Sequence, residues 1–147
     1  MKLIKIDPFE KKVSLIDTDT MPELKGYGTL AITQKLVTRG EGGLVELLLR
    51  EPMLLKDDLG TDLIGDEEAL LKEERAFFAW ETTIMSRFVF CGVALIIGVH
   101  EESGTWLGLE RVAGVENMLA NAIKRVQFLT EPQALEINQW EGGVVHG

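Results

Sequence analysis

Cys91, His100, Ser103 and His146 are the residue types here that first suggest chemistry, and their spacing supports little of it. Ser103 follows His100 closely, as a nucleophile can follow its base, but no Gly-x-Ser-x-Gly elbow surrounds it. One cysteine and two histidines fall short of the four ligands, in spaced pairs, that structural zinc takes. Cys91 lies in an apolar stretch, where a thiol behaves as a small hydrophobe. Asp57, Asp58, Asp62 and Asp66 are dense enough to suggest a divalent cation, yet they lack the Asp-x-Asp/Asn-x-Asp/Asn-Gly loop and its terminal Glu. Gly26-Tyr27-Gly28 is not followed by the third glycine of a dinucleotide fingerprint, and no Gly-x-x-x-x-Gly-Lys loop occurs. The expectation is a chain with no catalytic residue, no metal and no cofactor, an enzyme ranking last among the readings.

Binding chemistry has more to work with. Phe77-Phe78-Ala79-Trp80 and Arg87-Phe88-Val89-Phe90 set aromatic rings beside a cation. Bases of a single strand stack on such rings while cations follow the backbone. On a strand, Phe88 and Phe90 share one face, Arg87 and Val89 the other. Arg111, Met118 and Arg125 recur every seven residues, with Lys124 beside Arg125. Arg87, Phe88, Lys124, Arg125 and Trp140 make up the candidate nucleic-acid-binding set. The ordinary alternative is that the rings fill a core and the cations are merely solvated.

Charge divides the chain. The net charge is −9. Residues 1–56 carry nine Lys/Arg against eight Asp/Glu, residues 57–81 two against nine, and residues 82–147 four against seven. Phosphate is repelled by the middle block more than by the near-neutral N-terminal third. The block reads as a solvated acidic loop or as a surface for a basic partner.

Such residues need elements to hold them. Leu3–Ile6 and Val13–Ile16 flank a turn containing Pro8 and predict a hairpin. Residues 22–38 predict a helix weakened by Gly26 and Gly28, ended by Gly40-Glu41-Gly42-Gly43. Strands are expected at 44–50, 53–56, 77–80 and 87–99, the last bent at Gly92, with an acidic loop at 57–66 and a short helix at 66–75. The sharpest pattern is Val112, Val115, Leu119, Ala122, Val126 and Leu129, spaced by threes and fours. It predicts one long amphipathic helix over 109–129, stopped by Thr130-Glu131-Pro132. That stripe must be buried by a sheet, by another helix or by another copy of the chain, and a homo-oligomer is expected. The fold class is α+β, an antiparallel sheet packed with this helix and one or two shorter ones. The chain is a single domain over 1–147, with 130–147 as an extended tail. No run reaches the length of a membrane span, and one cysteine suits the cytoplasm.

Lys2-Leu3-Ile4-Lys5-Ile6-Asp7-Pro8 followed by Lys12-Val13 resembles the opening of small bacteriophage proteins that carry a domain of unknown function. Asp66-Glu67-Glu68-Ala69-Leu70-Leu71-Lys72 and the stretch from Phe90 to Gly104 are similar to that domain's Asp-Glu-Glu-Gly-Leu and Gly-x-Ala-Leu-Val-x-Gly segments. The likeness covers roughly residues 1–107, in strands and turns, and transfers no site residue. In kind, the chain is also similar to phage RNA-polymerase cofactors that bind single-stranded DNA, through size, acidity and aromatic content alone. The resemblance implies a non-enzymatic phage accessory protein working by binding in the bacterial cytoplasm. Single-stranded DNA, with the transcription or replication machinery, is the expected target. The alternative is an acidic protein that docks on and inhibits a host protein.

Overall fold

In the strand β7 (Ala94–His100), Ala94 and Ile96 enter one hydrophobic cluster and Leu95 and Ile97 another, all four fully buried. The two-residue period of a strand requires this when both faces of its sheet are covered. The computed structural model describes residues 1–53, 59–82, 86–100, 102–111, 114–140 and 145–146, with the backbone alone at 59, 138–140 and 145–146.

β7 anchors the larger sheet. One neighbour is β1 (Lys2–Asp7), which forms the expected hairpin with β2 (Lys12–Asp17). Asp7 shapes the turn by accepting from the backbone N–H groups of Phe9 and Glu10, at 3.0 and 3.2 Å. The other neighbour is β4 (Leu59–Asp66), which in turn pairs with β3 (Val45–Arg50). The order is β2-β1-β7-β4-β3, and the short β8 (Trp106–Leu107) also joins β7. All these pairings are antiparallel. Between Leu47 and Leu49 the register of β3 slips by one, and buried Leu48 fills the space that Gly65 leaves on β4.

The smaller sheet is centred on β5 (Phe77–Glu81). It pairs antiparallel with β6 (Arg87–Cys91) and with β9 (Val126–Leu129), while β10 (Val145–His146) runs parallel to β6. Only Gly92 and Val93 separate β6 from β7, so one stretch of chain crosses from sheet to sheet. Gly92 makes the corner at φ +90°, with Ala69 Cβ 3.0 Å from where a side chain would begin. Ile4, Ile6, Leu63, Ala94 and Ile96 of the first sheet meet Phe78, Trp80 and Phe90 of the second in the principal core. The helix α1 (Thr29–Val37) covers the outer face of the first sheet through Val37 and Leu36.

The fold is α+β with mostly antiparallel pairing, and the long C-terminal helix is corrected. Gly114, at φ +82°, sits ahead of α2 (Val115–Arg125), so α2 cannot reach back through it to the turn at Leu109–Arg111. Val115, Met118 and Ala122 are buried in the principal core, and Leu119 packs beside them. Met118 therefore belongs to the apolar face, not to the cationic one. Val126 and Leu129 are not helical. The run Val-Gln-Phe-Leu pairs with Phe77–Trp80, sending Val126 and Phe128 to the principal core and Leu129 to the far face. Strand pairing satisfies the edge of β5, which a continuing helix would leave bare. Val112 lies outside the described residues.

The expected extended tail is in fact α3 (Glu131–Trp140), packed through Ala134 and Ile137 on Phe77, Val89 and Cys91. Thr130-Glu131-Pro132-Gln133 starts this helix. Gln133 N–H donates to Thr130 Oγ1 at 3.3 Å, and Thr130 N–H to Gln133 Oε1 at 2.9 Å, a reciprocal capping box. Three other expectations shorten. The helix at 22–38 becomes a turn at Pro22–Leu24 and α1, divided at Gly26 with φ +86°. The helix at 66–75 becomes a single turn at Ala69–Leu71. The loop at 57–66 holds β4 instead, and residues 54–56 of the expected 53–56 strand lie outside the described residues.

Candidate docking surface

Phe77, Phe78, Trp80 and Phe90 are 0–2% exposed, so they cannot present faces to bases. Phe88 is half-buried, stacked on Phe90 at 6.4 Å between ring centroids and packed against the principal core. Core packing thus takes Phe77, Phe78, Trp80 and Phe90 and leaves Phe88 partly exposed. The cations do assemble. Arg87 stands opposite Glu81 across β5 and β6, and Arg125 Nη1 donates to the Glu81 backbone oxygen at 2.9 Å. Lys124 is exposed one residue before Arg125. The Trp140 side chain lies outside the described residues.

The acidic block has a more developed surface. Its first residues, 57–58, lie outside the described residues. Asp62 accepts from the Trp106 indole N–H at 3.2 Å. Asp66, at 2% exposure, ends β4 and is bound by Lys72 Nζ at 2.5 Å. Lys72 Nζ also donates to the carbonyl oxygens of Thr38 and Gly42, at 3.4 and 3.3 Å, and Gln34 donates its side-chain amide to the Gly43 carbonyl. Glu67 N–H donates to the Leu44 carbonyl at 2.9 Å. These bonds stitch the glycine-rich connection at 40–43 to the segment 66–72 at one end of the larger sheet.

Leucines stand out from this stitched corner. Leu71 is 84% exposed, Leu44 62% and Leu70 36%. A single helical turn cannot turn adjacent leucines to the same side, a signal in the Leu70-Leu71 pair that the helix expected at 66–75 concealed. Around them Glu67, Glu68 and Glu73 are exposed and have no ion pair among the described residues. Nearby cations are engaged elsewhere: Arg39 with Glu74 at 3.3 Å, Arg75 with Glu131 at 2.9 Å and Lys72 with Asp66. The result is exposed apolar surface inside a negative rim.

Catalytic groupings are weak by comparison. Ser103 Oγ donates to Thr105 Oγ1 at 2.9 Å rather than to an imidazole. Burial pushes the Cys91 thiol up to about 11, which keeps it protonated and unreactive. Among the described residues no three His, Cys, Asp or Glu side chains group as metal ligands. No helix among them is long and apolar enough to cross a membrane.

Comparison with protein families, with curated proteins and with solved structures returns no match to this chain.

Proposed function

We propose that this is a non-enzymatic binding protein of the phage accessory kind, which docks on a partner protein in the bacterial cytoplasm. Leu44, Leu70 and Leu71 supply the apolar contact, and Glu67, Glu68 and Glu73 select the partner. The carrying observation is Leu71, 84% exposed on a segment where Glu67, Glu68 and Glu73 have no ion pair among the described residues. Exposed leucines rimmed by like charge favour a segment bearing Lys or Arg beside apolar residues. Long-range attraction speeds the encounter, and apolar burial holds the complex.

The test is titration with two synthetic helices, one of Lys and Leu, one of Glu and Leu. Binding of the cationic helix that weakens with salt, and falls on the order of tenfold in a Leu70→Ser, Leu71→Ser variant, is the expected result. Equal binding of both helices, or no loss in the variant, refutes the reading.

Single-stranded DNA, in support of transcription or replication, is a second reading. The alignment of Arg87 and Arg125 about Glu81, with exposed Lys124 preceding Arg125 in α2, favours it. Fluorescence anisotropy at two salt concentrations tests it. Salt-dependent binding that is lost when Arg87, Lys124 and Arg125 are changed to Ala supports this second reading over the first.

A further inference from the structure

A cleft of about 740 Å³ opens beside the β7–β8 turn, remote in sequence from the exposed leucines. Its size is that of a small-molecule site. Trp106, Glu110 and Arg111 line it, together with His100, Ser103 and Thr105.

Three features bear on what it holds. The Trp106 ring is fixed before any ligand arrives. Its N–H is held by Asp62 Oδ2 at 3.2 Å, its body packs against the cluster of Leu95 and Ile97, and its remaining surface lines the cleft. A fixed indole is a stacking surface that loses little freedom on binding. Glu110 Oε2 accepts from the Lys2 backbone N–H at 2.5 Å, which positions the carboxylate. Gly108 leaves room for it, since a Cβ there would collide with the Glu110 carboxylate oxygens. A positioned carboxylate is a natural acceptor for sugar hydroxyls. Arg111, the next residue, is exposed, and its guanidinium has no hydrogen-bond or ion-pair partner among the described residues. A free guanidinium pairs with phosphate through two parallel N–H donors.

We infer that this cleft binds a nucleotide, its base on Trp106, its sugar hydroxyls on Glu110 and its phosphate on Arg111. The same chemistry is offered by a free mononucleotide and by the phosphorylated end of a single strand. The inference stands independently of protein docking, because it shares no residue with the exposed leucine surface.

Isothermal titration of the full chain with adenosine monophosphate and with a 5′-phosphorylated oligoadenylate tests it. Adenosine and ribose 5-phosphate serve as the two halves of the ligand. The expected result is saturable binding of at least one phosphorylated probe, with each half weaker than the whole. Saturation by the mononucleotide identifies a free nucleotide; saturation by the oligonucleotide alone identifies a strand end. Arg111→Gln should weaken binding on the order of tenfold, and Trp106→Leu should weaken the base-bearing probes by a similar factor. Because Trp106 also packs, circular dichroism checks that variant, while exposed Arg111 carries the test if it misfolds. No saturation by either phosphorylated probe, or unchanged affinity in Arg111→Gln, overturns the inference.

Discussion

Asp66 holds a charge in a place where water scarcely reaches it, and Lys72 is what makes that tolerable. The ammonium is 2.5 Å away and also bridges to the Thr38 and Gly42 carbonyls. Removing one partner of a buried pair strands the other, at a cost of about 3–5 kcal/mol. Lys72→Met should lower the urea midpoint accordingly, and Asp66→Asn in the same chain should recover part of the loss. Cys91 gives a pH signature. Its thiol sits near 11 in the fold against 9.0 in the open chain, because burial disfavours the thiolate. Between those values the unfolded chain sheds a proton that the folded one keeps. Stability is therefore lost as pH rises through that window, and Cys91 contributes no such slope below it. Urea midpoints measured across the window should fall less steeply for Cys91→Ala than for the wild type. At this scale the sequence was partly legible. The inert cysteine followed from its apolar neighbours. The exposed Leu71 did not, because it sat inside a stretch read as helix.

The α2–β9–α3 succession shows where periodicity misleads. Val115, Leu119 and Ala122 obey the helical spacing for a structural reason, while Val126 and Leu129 extend it by coincidence. Their β-branched and aromatic context favours a strand once β5 offers an open edge. No local pattern encodes that edge, since Phe77–Trp80 lies far away in sequence. The capping box at Thr130 was visible, and Pro132 in the first turn of a helix fits it, but the same residues also serve as a stop. β4 was hidden by its aspartates and glycines, two of which have a tertiary purpose: Asp62 holds an indole, and Gly65 admits Leu48. The bend at Gly92 was read correctly from its position in an apolar run. Gly92→Ala forces a side chain into positive φ and within 3.0 Å of Ala69 Cβ. A loss of about 1–3 kcal/mol is expected. Thermal melts of Gly92→Ala beside Gly104→Ala would check it, because Gly104 has similar φ but open surroundings.

For the molecule as a whole, the apolar face of α2 is turned against the two sheets. Val115, Met118 and Ala122 point inward, so much of the stripe expected to build a homo-oligomer faces the core of its own chain. Light scattering at micromolar concentration should return the mass of a single chain. A larger mass that Ile123→Asp abolishes would restore α2 as an interface, since Ile123 is a large apolar residue exposed on it.

The crossing at Gly92 also sets a timetable. Ile4 pairs with Ile96, so the first strand waits for a partner made roughly 90 residues later. At ribosomal speeds that delay is roughly 5–20 s. Meanwhile the N-terminal hairpin carries Ile4 and Ile6 with nothing to cover them, and β5 emerges before β9 exists to close its edge. Such late, long-range closure folds slowly and exposes sticky strands on the way. A nascent chain of this design leans on whatever holds it during synthesis, and its net negative charge is then what keeps unfinished copies apart.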